Sequence, residues 1–159
     1  MYIQILYMKE LNDILKTNAN LSLPQATVIN IFHSSIWIKD DFLLQLKPYE
    51  LSLEQFNVLR ILRGQKGNAI NLQDIQERMI SKMSNTTRLV DKLIKKKFVK
   101  RTICKTNRRK VEILITDLGL ETLKIVDPII DETEKNITKN LTQEELTQLN
   151  TLLIKLKNK

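Results

Sequence analysis

The stretch MSNTTRLVDKLIKKKFVKR, Met83–Arg101, decides how this chain is read. Small polar residues come first, then an apolar-spaced middle, then a cluster of lysines. Ser81 is in position to cap a helix, and Met83, Thr87, Val90 and Ile94 recur at helical spacing, the row expected to face a core. Ser84, Asn85, Arg88, Lys92 and Lys95 fall on the opposite face. Short hydrogen-bonding side chains followed by long cations suit a helix that lies in a major groove. Base edges require short polar groups at close range, and Arg can bond guanine O6 and N7 together. Phosphates require flanking cations and the free N–H groups of a helix start. A solvated amphipathic helix could present the same face, so the surrounding sequence must separate the two readings.

Charge distribution separates them. The chain has 159 residues and a net charge of +8. From Ser81 to Lys110 there are twelve Lys and Arg and one acid, Asp91, a net of +11; the remaining residues sum to −3. All the excess positive charge therefore lies in one segment of 30 residues. Solubility alone gives no reason for such segregation, whereas binding a polyanion does.

Composition narrows the fold. The chain is 42% hydrophobic but only 5% aromatic, so its core is expected to be built from Ile and Leu. Three Gly and three Pro leave little turn chemistry for a many-stranded sheet, which points to helices. The length fits one ordinary domain. No run approaches the roughly 18 apolar residues of a membrane span, and the start, MYIQILYMKEL, lacks the basic region and cleavage site of a signal peptide. A single cysteine, Cys104, excludes an internal disulfide and suits a reducing cytoplasm, the expected location.

Flanking segments supply the element order. Residues 1–16 read as a short amphipathic helix, and a second helix begins near Pro24 and ends at Pro48. Ser52 and Gln55 have capping-box spacing ahead of a Phe56, Leu59, Leu62 stripe. Gly64 and Gly67 break the chain, Ala69–Asn71 can form a minimal strand, and Asn71 can cap a helix bearing Leu72, Ile75 and Met79. After the quoted helix, FVKRTIC and KVEILIT read as two strands flanking a basic tip, KTNRR. Thr116 can cap a long helix that Pro128 is expected to bend or break. Thr142 and Glu145 form a second capping box before a leucine-rich final helix.

This order predicts a mainly α protein with a small β-hairpin wing: a winged helix–turn–helix with helices at both ends. Residues 1–50 are expected to form N-terminal dimerisation helices, residues 51–116 the winged lobe, and residues 117–159 C-terminal dimerisation helices of one integrated domain. The terminal helices carry more Leu and Ile than one small core needs, and a homodimer would bury the surplus. The first turn, Ser84, Asn85, Thr86, Thr87 and Arg88, is expected to read bases, and Ser81, Lys82, Lys92 and Lys95 to hold phosphates. Thr87 thus belongs to the inward row by spacing and to the polar turn by position. Lys105, Asn107, Arg108 and Arg109 form the wing tip, thin enough for the minor groove.

From Leu51 to Gly119 the chain resembles the MarR family of bacterial winged-helix regulators. The matching text is LSLEQFNVLRIL, NLQDIQERMISKMSNTTRLVDKLIKKKFVKR and NRRKVEILITDLG. The resemblance implies a dimeric, sequence-specific transcriptional regulator of double-stranded DNA, most often a repressor. It also implies a pseudo-palindromic operator and a response to a small phenolic or aromatic ligand, or to oxidants. Two positions depart from the family pattern. Asn107 replaces the wing acid that would orient Arg109, and Lys97 stands where a glycine often follows the recognition helix.

Other candidates are weaker. Phe32, Trp37 and Tyr49 could line a ligand pocket or pack an interface. Cys104 precedes a basic tip, yet it reads as a plain strand residue. His33 and Asp40 are too few ligands for a metal. The paired Glu144 and Glu145 suit a helix start. No Ser–His–acid set, phosphate loop or glycine fingerprint is present, so neither an enzyme nor a cofactor is expected.

Overall fold

A computed structural model describes residues 11–103 and 111–158. The chain divides into two compact units, residues 1–41 and 42–159. Among the described residues no helix is long and apolar enough to cross a membrane.

In the first unit, residues 11–15 are helical. Helix α1, Leu23–Leu46, starts one residue before Pro24 and continues past the unit boundary. Ser22 opens it, donating both its N–H and its hydroxyl to Gln25 Oε1, each at 2.9 Å. Lys47–Tyr49 tighten into a 3₁₀ turn around Pro48, and Glu50 closes that turn in the left-handed region at φ 53°.

The second unit holds the core. Helix α2, Leu53–Arg63, begins with a reciprocal capping box: Ser52 Oγ accepts from Gln55 N at 3.2 Å, and Gln55 Oε1 accepts from Ser52 N at 3.1 Å. Its Phe56, Leu59 and Leu62 stripe is buried, as the spacing predicts. Strand β1, Ile70–Asn71, leads into α3, Leu72–Arg78, which Asn71 caps by accepting from Asp74 N at 2.9 Å. Helix α4, Thr86–Lys95, is followed by β2, Val99–Ile103, and β3, Val111–Ile115. The sheet is antiparallel in the order β1-β3-β2, with Val99 opposite Ile115 and Ile70 opposite Ile113. The minimal strand expected at Ala69–Asn71 forms at Ile70–Asn71 and adds a third strand to the hairpin. Ile75, Met79, Val90, Leu93, Val99, Ile113 and Leu123 join the α2 stripe in one apolar cluster.

Helix α5, Asp117–Thr138, is capped by Thr116, whose hydroxyl accepts from Gly119 N at 3.1 Å. It runs unbroken through Pro128, against expectation. Proline removes one helical donor, but Val126 and Ile130 on either side are both buried in the core, and that packing keeps the helix continuous, so the expected break does not occur. An ion pair between Arg63 and Asp127 ties α5 to α2. Helix α6, Gln143–Lys157, has the predicted capping box at Thr142 and Glu145 but buries none of its residues.

Lys97 takes the left-handed conformation at φ 62°. The chain therefore reverses from α4 into β2 at the position where glycine would be unstrained. We expect Lys97→Gly to raise stability by about 0.5–1 kcal/mol, and Lys97→Val to lower it, as measured by denaturant unfolding. Gly119 has the opposite constraint. A Cβ there would lie 2.3 Å from the Phe98 carbonyl oxygen and 2.8 Å from Ile115 Cγ1. Gly119→Ala should cost about 1–3 kcal/mol in the same assay, because backbone rather than a flexible side chain must move. An unchanged unfolding midpoint would contradict this packing.

Candidate nucleic-acid interface

The recognition segment folds later than its sequence suggests. Ser81 does not cap α4. Residues Ser81–Ser84 form a turn closed by Ser84 N donating to Ser81 O at 3.2 Å. Asn85 is the cap, its Oδ1 accepting from Arg88 N at 3.0 Å. The helix consequently starts at Thr86 and rotates the inward row. Thr86, Val90 and Leu93 are buried, whereas Met83 and Thr87 are exposed and Ile94 is half-buried.

Thr86 is the main revision to the base-reading set. It is only 5% exposed, and its hydroxyl donates to Gln76 Oε1. The Gln76 amide in turn donates to the Lys82 carbonyl. A buried hydroxyl engaged with α3 holds the helix–turn–helix together and is not presented to a base. Lys82, expected at a phosphate, has its ammonium on the Glu77 carbonyl at the end of α3. The turn is held at its start as well, where Ile80 N donates to Asn57 Oδ1 at 3.1 Å.

Asn85, Thr87, Arg88, Lys92 and Lys95 are exposed, and Ser84 is half-buried. Asn85, Arg88 and Lys92 follow helical spacing along one face. A cleft of about 460 Å³ lies beside them. Its walls are Ser81, Met83, Ser84, Asn85, Arg88, Leu89 and Lys92 from the turn and α4, with Ser52 and Glu54 from the start of α2. Sequence reading missed Ser52 and Glu54, which lie some thirty residues away; their capping pattern marks a helix start but not what that start faces. A second cleft, of about 380 Å³, gathers Arg63, Lys66 and Lys100 beside Asp117.

Ion pairs sort the basic segment. Arg101 pairs with Asp91, and Lys96 pairs with Glu50 at 3.5 Å. These pairs join α4 to β2 and to the turn before α2. Arg88, Lys92 and Lys95 make no ion pair among the described residues. Positive charge is therefore left on the outer face of α4. Lys105, Asn107, Arg108 and Arg109, with Cys104, lie outside the described residues. Of the three aromatic pocket candidates, Phe32 and Trp37 are exposed in the first unit, and Tyr49 packs against the core of the second.

A helix–turn–helix followed by antiparallel strands and flanked by helices defines a winged helix–turn–helix protein. Residues 51–111 match the MarR family model. The chain is 37% identical over 68 residues to the uncharacterized HTH-type transcriptional regulator YfiV of Bacillus subtilis (strain 168). That match covers 43% of this chain and 41% of the relative, so the chain spans less than half of the curated relative it matches. Among solved structures, it superposes on the organohalide-sensing regulator RdhR-CbdbA1625 bound to 2,4-dichlorophenol, with a TM-score of 0.79 and 22% identity, over 87% of this chain and 82% of the other. A cysteine-to-serine mutant of MarR from E. coli, complexed with operator DNA, gives a TM-score of 0.72 at 21% identity, over 93% and 98%. At these identities the two structural likenesses speak for the fold.

The Thr86 assignment is open to a direct check. Thr86→Val should lower stability by about 1 kcal/mol in denaturant unfolding, because Gln76 loses its donor in a buried setting. Thr86→Ser, which keeps the hydroxyl, should cost less.

Proposed function

We propose that this chain is a dimeric, sequence-specific DNA-binding transcriptional regulator, a repressor released by a small ligand. The observation that carries the reading is the exposed face of Asn85, Arg88 and Lys92, whose two cations make no ion pair among the described residues while neighbouring Lys96 and Arg101 do. In this reading Arg88 bonds a base edge, and Ser84, Asn85 and Thr87 approach the same groove. Lys92 and Lys95, with Ser81 at the turn, hold phosphates. The wing residues Lys105, Asn107, Arg108 and Arg109 enter the flanking minor groove.

Dimerisation is supported by apolar side chains that the single chain leaves in solvent. Leu149, Leu152, Leu153 and Leu156 on α6 and Val28, Phe32 and Ile36 on α1 are exposed. A two-fold dimer would cover them and place two recognition helices on a pseudo-palindromic site. Support for operator binding comes from the complex of the E. coli MarR mutant with its operator, and support for a small aromatic effector from the dichlorophenol-bound regulator. Phe32, Trp37 and Tyr49 are the aromatic candidates for contact with such an effector.

Competition binding at fixed salt tests the proposal. The duplex upstream of the chain's own gene should outcompete random duplex, and equal competition would leave a sequence-indifferent architectural protein. With about eight phosphates neutralised per dimer, the log–log salt slope should lie near −7. Arg88→Ala should weaken specific binding by about 1–3 kcal/mol while leaving the fold and dimer intact.

A further inference from the structure

Met83 and Ile80 are the most exposed large apolar residues described, at 95% and 85%. Both sit in the turn that precedes α4. That turn is held in place by Asn57 at Ile80 N, by the Ser84–Ser81 backbone bond, and by Gln76 at the Lys82 carbonyl. For Met83 to fold inward, the turn would have to give up these bonds. A pinned turn that displays an unbranched, polarizable thioether presents an apolar surface of fixed position.

The two residues differ in their surroundings. Met83 lines the 460 Å³ cleft with Ser84, Arg88 and Lys92, and with Glu54 across it, and Ile80 does not. An apolar group framed by Arg88 and Lys92, which make no ion pair among the described residues, by serine hydroxyls and by the Glu54 carboxylate is poorly matched to an apolar protein surface, which would have to desolvate those charges. It is well matched to the major-groove edge of DNA. There the phosphates satisfy the cations, and the thymine C5-methyl is the one apolar feature. Resting on the DNA-binding reading above, we infer that Met83 is a specificity-determining contact that packs against a thymine methyl group in each half-site.

Selection from a pool of random duplexes, run with the full chain, tests this. Wild type should enrich a motif with thymine at one fixed position per half-site. Met83→Ala should enrich the same motif with that single position relaxed, whereas Ile80→Ala should keep the thymine. Replacing that thymine by deoxyuridine removes only the methyl group. It should weaken wild-type binding about three- to fivefold per half-site and leave Met83→Ala unaffected. An unchanged motif for Met83→Ala, or an equal deoxyuridine penalty in both proteins, overturns the assignment, as does relaxation of the same position by Ile80→Ala. If wild type enriches no sequence at all, the specific-regulator reading fails and takes this contact with it. An enriched motif indifferent to the methyl group removes the contact alone.

Discussion

One carbonyl organises the winged lobe. Phe98 O accepts from Thr116 N at 3.0 Å and from the Thr116 hydroxyl at 3.0 Å, and Gly119 packs directly over it. The same hydroxyl lies 2.7 Å from the Lys97 carbonyl and caps α5 through Gly119 N. The end of α4, the first pair of the β2–β3 ladder and the start of the longest helix of the second unit thus meet at one point. Lys97 must turn left-handed to bring Phe98 there, and residue 119 must lack a Cβ to let α5 approach. Any shift of α5 relative to the sheet has to break or carry this joint, so the joint sets where α4 points.

The electrostatics follow from that placement. A lobe with this much positive charge would repel itself if all its cations faced one another. Arg101 on β2 meets Asp91 on α4, and Lys96 meets Glu50 in the turn that follows α1. Both pairs are partly solvated, so their contribution to stability is small. Their larger effect is on direction, because they draw cations to the flanks of α4. Arg88, Lys92 and Lys95 are left on its outer face. Gln76 does the corresponding work on the polar side, joining Thr86 to the Lys82 carbonyl and setting the entry angle of the helix.

Much of this was legible in sequence where the signal is local. Ser52 with Gln55, Asn71, Thr116, and Thr142 with Glu145 all cap as their spacing predicts, since a cap involves only residues within one turn. The stripe of α2 was legible for the same reason. Where two local solutions compete, the sequence was ambiguous. Ser81 and Asn85 can each cap a helix, and choosing between them depends on the bonds of the turn to Asn57 and Gln76. The four-residue delay turns Met83 and Thr87 outward, reversing two assignments made on spacing alone, and buries Thr86. Pro128 failed as a breaker because long-range burial of its neighbours outweighs one missing hydrogen bond.

By itself the sequence determined the order of helices and strands, the concentration of charge between Ser81 and Lys110, and the family pattern running through them. These depend on composition and on contacts a few residues apart. Only the tertiary structure decided which cations are paired and which polar residue of the first turn is buried. It also brought Ser52 and Glu54 of α2 to the cleft beside α4. Such contacts join residues ten to fifty positions apart, and no spacing rule encodes which of several similar side chains the packed core will turn toward solvent.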